Sequence, residues 1–424
     1  MASNDWSSPR KSGARDLSGS RDVMQEYLAK ELTRRGLLQG ALASAALVGC
    51  GSDNGAITTQ PGADASTGAD AAADVTTDAA ADVTPDAPPK RTPHLVGMGK
   101  HDDHVMAAEL ALQETHGFDF IQRGQRVYLK VNTNSGDPFP YSTSPDMIRW
   151  VVGKIRDRGG EVLIGDRSFW GDSNTMRNFE GNGIADVARE LGVDLMVFGD
   201  RATLATGARA DSTQVDWIDL PTTVDGMGAR SAVWDGTMRI PMPVAMADHI
   251  IAMPCVKTHF IATFTMSLKN FIGLINPVDR SRSMNLGNHD GRTGGRLFRQ
   301  VAYMNKAGPT ASLVVLDGHQ ALISGGPTPN DRPPRAPAGF TPQIGEPHAV
   351  IISRDRVAAD ITGAALLRTL SPTYEYIRDG ILWNNRQLSV AIAAGIGLTS
   401  RDAYDLSGPS VDNLDAIRAQ VVAT

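Results

Sequence analysis

Residues 247–291 read ADHIIAMPCVKTHFIATFTMSLKNFIGLINPVDRSRSMNLGNHDG. The stretch opens on an apolar run, Ile250 to Pro254, with no polar alternation, which is how a strand buried on both faces reads. Pro254 closes the run. Further on, Phe264, Leu268, Phe271, Ile272 and Ile275 recur at helical spacing as one apolar stripe. Lys257 and His259 lie between the two. The expected order is therefore strand, polar loop, helix. In open α/β sheets, ligands sit beyond the carboxyl ends of the strands, so the segment carrying Lys257 and His259 marks a candidate site.

The same alternation extends upstream. HLVGMG at 94–99 reads as a first strand, and a helix is expected over about 102–116. The HDDH of 101–104 has metal-ligand residue types, but helix capping by Asp beside solvated histidines is the simpler reading. RVYLKV at 126–131 is a strand running into Asn132. Ser144 caps the next helix with Pro145 at its first position, and Ile148, Val151, Val152 and Ile155 form its buried stripe. EVLIGD at 161–166 follows, which makes a parallel, right-handed βαβ unit. The loop 165–174 is either a binding loop or a turn around Trp170. A helix near 183–191 and a strand at 193–198 continue the pattern. VDWIDL at 215–220 and TMRIP at 237–241 suggest antiparallel strands covering an edge.

Downstream, GRTGGR at 291–296 is a basic, Gly-rich loop before a helix, where backbone amides favour anions. SLVVLDGH at 312–319 reads as a buried strand ending in Asp317 and His319. The Gly/Pro-rich run from Gly325 to Pro342 is a long excursion of the kind that forms lids. HAVIIS at 348–353, a helix from about Asp355 to Leu370 and a helical tail complete the domain.

Four predicted strands thus end in polar groups. They supply Lys130 and Asn132, Asp166 and Ser168, Lys257 and His259, and Asp317 and His319. If the strands are parallel, these groups share one sheet edge. Lysines and a histidine beside aspartates suit an anionic ligand and proton transfer. Taken singly, each is explained as a polar strand exit or a helix cap. Lys257, His259 and Lys269 taken together favour a site, with His289 and the 291–296 loop as the other place to look. A metal held by His259, His289 or His319 with Asp317 has no diagnostic spacing behind it. Cys255 near Lys257 reads either as a thiol of lowered pKa or, more commonly, as a small buried residue.

Composition narrows the classes. The chain has 424 residues, with 41% hydrophobic and 21% charged residues, as in an ordinary globular protein. A net charge of −6 provides no global basic field for nucleic acid. Two cysteines cannot make a Cys-ligated iron–sulfur cluster, so none is expected. The HExxH, GxSxG, GxGxxG and Walker patterns are absent.

The first fifty residues read as an address. TRRGLLQG at 33–40 precedes a short, moderately apolar run to about Gly49, as in a twin-arginine export signal. Leu47-Val48-Gly49-Cys50 resembles a lipobox, which would make Cys50 the lipid-bearing residue. Residues 51–93 are rich in Ala, Asp, Thr, Gly and Pro and lack aromatics, with ADVTTDAA at 73–80 echoed by ADVTPDAP at 81–88. Such a segment cannot offset its chain entropy by burial and reads as a disordered tether. The expected organisation is a signal (1–50), a tether (51–93) and a single α/β domain (94–424) with a mostly parallel, mixed sheet and helices on both faces.

VYLKVN at 127–132, SPDMIRWVVGKIRDRGGEVLIGD at 144–166, residues 247–274, VVLDG at 314–318, GGPTP at 325–329 and DRVAADITG at 355–363 together resemble the domain-of-unknown-function 362 family. The resemblance covers about 95–400. Its most specific part is K-x-H followed by L-K-N-x-x-G, here Lys257, His259, Lys269, Asn270 and Gly273. The resemblance implies a fold and an active edge but no established reaction. Many members carry a ferredoxin-like module whose cysteines this chain lacks.

The expectation is an exported, lipid-anchored enzyme acting on a small carboxylate or phosphate. Lys257 and Lys269 would bind the anion, His259 would act as general acid or base, and Asp166 or Asp317 would orient it or hold a metal. Lys130, Asn132, Ser168, Asn270 and His289 would complete the ligand site. The expected partners are the anionic ligand, the membrane through Cys50 and the export machinery. A non-catalytic binding lipoprotein and a metal- or cofactor-dependent enzyme exported in folded form are the alternatives.

Overall fold

A computed structural model describes residues 95–168, 175–199, 213–284, 296–331, 333, 336–372, 377 and 380–423. The expected signal, Cys50 and the tether lie outside the described residues, as do Trp170, His289 and residues 291–295.

The elements follow the predicted alternation. Val96–Lys100 (β1) leads to His104–Gln113 (α1), then Arg126–Val131 (β2), Pro145–Asp157 (α2) and Glu161–Asp166 (β3). Thr175–Gly181 (α3), Ile184–Leu191 (α4) and Asp194–Gly199 (β4) come next. The central stretch supplies His249–Met253 (β5), Cys255–His259 (β6), Thr263–Thr265 (β7), Ser267–Asn270 (α5) and Pro277–Ser283 (α6). Leu297–Ala307 (α7), Leu313–Leu322 (β8), Ala349–Ser353 (β9), Arg356–Leu370 (α8), Arg386–Ala393 (α9), Leu406–Ser407 (β10) and Leu414–Val422 (α10) follow.

The sheet order is β10-β1-β9-β8-β5-β2-β3-β4. Every pairing along this path is parallel except those of β9, which runs antiparallel to both β1 and β8. The carboxyl ends of β1, β8, β5, β2 and β3 therefore share one edge with the amino end of β9. Buried residues divide between the two sheet faces. Tyr128, Leu163 and Leu316 pack in one cluster with residues of α7 and α8, and Leu129, Ile164 and Val315 in another with α1, α2 and α4. Each face is thus covered by helices, as the βαβ reading requires. Helix α2 starts as its sequence indicates, with Ser144 accepting from Asp146 N–H and Pro145 at the first position. Trp217–Asp219 and Arg239–Pro241 pair antiparallel, as the alternation there suggested.

The central stretch departs from expectation. Pro254 interrupts the run without ending extended structure. The chain resumes as β6, which pairs in parallel with β8 and folds back on β7, with Lys257 opposite Thr265 and His259 opposite Thr263. Lys257 and His259 therefore lie within a buried strand, at 0% and 4% exposure, and not in a loop at the rim. Two polar side chains made a buried strand look like a loop. They can be buried because hydrogen-bond partners and a cavity meet them inside. The stripe from Phe264 to Ile275 is also divided, with Phe264 in β7, Leu268 in α5, Phe271 and Ile272 in a 3-10 turn at Phe271–Leu274, and Ile275 extended just beyond it. Likewise β8 runs past Asp317 and His319 to Leu322.

Candidate functional site

The strand ends enclose a cavity of about 490 Å³ lined in part by Lys130, Asn132, Asp166, Ser168, His259, Lys269 and Asn270. All seven were expected from the sequence. Arg167, Arg280, Thr133, Thr265, Gly273 and Asp331 also line it. The wall includes neither Lys257 nor Asp317.

Lys130 ends β2 and Asp166 ends the neighbouring β3, so parallel pairing brings them together. Their Nζ and Oδ1 are 2.7 Å apart. Lys130 also donates to Val131 O (2.7 Å) and to Asn270 Oδ1 (3.2 Å), while Asn270 Nδ2 donates back to Lys130 O (3.0 Å). Asp166 in turn accepts from the amides of Arg167 and Thr133. Burial lowers the Lys130 pKa and raises that of Asp166, and their mutual attraction opposes both shifts. The pair is thereby drawn toward sharing its proton. Gly273 lies beside it without covering it: a Cβ there would fall 3.0 Å from Lys130 Nζ and nearer still to Asp166.

Lys257 stands behind the wall. Its amine donates to Asn132 Oδ1 (2.9 Å) and Tyr141 O (2.6 Å) and so fixes Asn132 from the rear. Burial lowers its pKa to about 8. His259 lines the cavity, and its Nδ1 accepts from the amides of Ile261 (3.1 Å) and Ala262 (3.3 Å). With Nδ1 held as an acceptor, the neutral ring carries its proton on Nε2.

Lys269 is different. Helix α5 presents it to the cavity from one short turn whose amides, Ser267 and Leu268, are anchored by Asp360 of α8. Its amine makes no hydrogen bond or ion pair among the described residues. Protein surrounds the side chain, although part of its surface faces the cavity. Burial, with Lys257 and Arg280 nearby, lowers its pKa to about 7, against the pull of Asp331. Arg280 of α6 donates to Ile272 O (3.2 Å) and to Ser168 O, which ties its helix to the strand end. Burial lowers its pKa to about 10, still well above neutrality. Asp331 is held by Thr328, whose N–H and hydroxyl both donate to Oδ2. The Gly/Pro-rich excursion thus contributes a wall.

Asp317 belongs to another neighbourhood of the same edge. Its Oδ1 is 2.9 Å from His104 Nε2 and accepts from the amide of His319. His319 and His348 stand edge to face. Asp103 caps α1 by accepting from Met106 N–H, as the simpler reading of HDDH held, but His104 is half-buried against Asp317 and not solvated as that reading expected. Neither here nor elsewhere among the described residues do three or more His, Cys, Asp or Glu gather to hold a metal. Cys255 is the small buried residue: burial pushes its thiol up to about 12.

The sequence reading missed the cavity roles of Arg280, Asp331, Thr133 and Thr265. Arg280 stood among several charges of the central stretch with nothing to single it out. Asp360 could have been suspected, because an acidic residue amid the apolar DRVAADITG needs a buried partner.

Fold and site together define an α/β protein whose strand ends enclose a cavity with Lys130, Arg167, Lys269, Arg280, Asp166 and Asp331 in its wall. The chain belongs to the family described as Domain of unknown function (DUF362), whose model matches residues 127–365. A comparison with curated proteins finds no match. Among solved structures, the lactate racemase apoprotein from Thermoanaerobacterium thermosaccharolyticum is similar at 13% identity and a TM-score of 0.37, over 63% of this chain and 55% of that one. This chain thus spans little more than half the length of that protein.

Proposed function

We propose that the cavity takes a small anion, a carboxylate or a phosphate, and that the protein is an enzyme acting on it. One observation carries this reading. Among the described residues of the wall, the cations Lys130, Arg167, Lys269 and Arg280 outnumber Asp166 and Asp331, and the Lys269 amine has no partner. Buried charge without compensation is costly, and an anionic ligand supplies the compensation. The volume suits a small ligand. In this reading Arg280 and the protonated form of Lys269 hold the anion. The Lys130–Asp166 pair, poised to share a proton, is the acid–base group, and His259 donates from Nε2. Lys257 supports Asn132 and does not touch the ligand, and Asp317 acts on His104.

The test is a melting-temperature screen of carboxylates and phosphates on the purified chain, followed by assay for chemical change. Stabilisation by an anion in wild type but not in Lys269→Met supports the site. Stabilisation without turnover of any bound compound leaves a ligand-binding protein, and no stabilisation by any anion rejects the reading.

The proposal extends to location: twin-arginine export and a lipid on Cys50, with residues 51–93 as the tether. TRRGLLQG and LVGC support it. Arg34→Lys with Arg35→Lys should block export, and Cys50→Ala should release the protein from the membrane fraction. A membrane-bound, exported protein in both variants rejects the proposal.

A further inference from the structure

We infer that the Lys269 amine condenses with the carbonyl of a short oxo acid, forming a Schiff base while neighbouring cations hold the carboxylate. The inference rests on the anion reading above and names the substrate class of that site.

Two buried lysines, Lys130 and Lys257, and the half-buried Lys269 serve this edge of the sheet, and the first two have their amines committed. Lys130 donates to Asp166, Val131 and Asn270, and Lys257 to Asn132 and Tyr141. Their amines are thereby engaged with neighbouring oxygens and are not free to attack a ligand. Lys269 donates to nothing among the described residues and faces the cavity. The charges felt most strongly at its amine are cations, Lys257 and Arg280. An ammonium so placed loses its proton readily, and a pKa of about 7 leaves much of it as free amine near neutrality. Arg280 keeps its charge there, so a cation remains for the carboxylate when Lys269 is the free amine. The free amine and the Arg280 guanidinium stand in one cavity, and a molecule that meets both carries a carbonyl and a carboxylate.

Other wall residues suit the step. Phe260, Ile261 and Ile272 provide an apolar wall that limits hydrolysis. In the reaction, the amine lone pair attacks the carbonyl carbon and forms the C–N bond. The oxygen gains a proton as the nitrogen loses one, giving a carbinolamine. Loss of the second nitrogen proton with the hydroxyl releases one water and leaves the C=N bond. No oxidant or reductant is consumed.

The experiment incubates the full chain with glyoxylate, pyruvate or acetoacetate, adds borohydride and maps adducts by peptide mass. Glycolate and propionate serve as anions without a reactive carbonyl. The expected result is a reduced adduct on the peptide bearing Lys269, absent from Lys269→Arg, while all binding anions raise the melting temperature of wild type. Mapping within wild type decides the matter even if Lys269→Arg does not fold. Stabilisation by oxo acids without an adduct at Lys269 overturns the Schiff base and leaves the anion reading intact. Adducts spread over surface lysines with none enriched at Lys269 also overturn it. No stabilisation by any anion and no adduct overturns both readings.

Discussion

Lys130 Nζ lies 2.7 Å from Asp166 Oδ1, and the two side chains are 1% and 4% exposed. Neighbouring parallel strands contribute one partner each, so the pair also ties β2 to β3 at the edge where the cavity opens. Removing one partner leaves the other charged, buried and unpaired. Asp166→Ala is therefore expected to cost about 3–5 kcal/mol in denaturant unfolding. Lys130→Met with Asp166→Leu should cost much less, because no charge is stranded, yet should abolish chemistry at the site.

Lys257 and Lys269 separate structure from binding. Lys257→Met leaves Asn132 Oδ1 and Tyr141 O without their buried donor. A loss of about 1–3 kcal/mol is expected from unsatisfied groups of this kind. Lys269→Met strands no acceptor among the described residues, so it should leave stability unchanged or raised at pH 6. Only the second variant should lose anion-induced stabilisation while keeping the wild-type fold. Melting curves with and without anion check both.

The lowered pKa of Lys269 sets a direction for pH dependence. In the unfolded chain a lysine titrates near its ordinary value of 10.5, and in the fold near 7. Between these values the unfolded state holds more protons, so stability rises with pH from about 7 upward. Lys257 adds a smaller rise from about 8. Thermal melts from pH 6 to 10 should show this slope in wild type and a shallower one, starting later, in Lys269→Met.

His259 has a structural duty alongside any chemical one. Its Nδ1 receives two backbone amides of the β6–β7 turn. His259→Ala should cost about 1–3 kcal/mol by leaving them unmet. His259→Asn places an amide oxygen near the Nδ1 position and should recover much of that loss. It should not recover turnover, since the Nε2 donor is gone. Unfolding and activity measured on both variants separate the two roles.

The alternation of strands and helices was legible because buried strands and amphipathic helices carry strong periodic signals. Arg126–Val131 and Pro145–Asp157 lie where the pattern puts them. What escaped was the inside of the polar edge. Lys257 and His259 look like loop residues because polarity ordinarily means solvent, and only a three-dimensional cavity with waiting acceptors reverses that inference. Asp317 and His259 both follow from the rule of strand ends, but the rule does not say which groups share a neighbourhood along a wide sheet. Asp317 goes to His104, whose position at the start of α1 gave no hint of the contact. Lys269 and Asn270 were legible through the family spacing, whereas Arg280 depends on how α6 crosses the end of β3.

Gly273 gives that spacing a physical meaning. Asn270 and Gly273 are one helical turn apart above the Lys130–Asp166 pair, the first gripping it and the second leaving it uncovered. A single methyl group at 273 would press on the aspartate and fill the window through which the pair meets the cavity. The same two charges can thus be an internal rivet or a working surface, depending on whether a side chain stands in front of them. A chain of this fold with Gly273→Ala must move the aspartate aside to make room, and its acid and base are then screened from whatever enters the cavity.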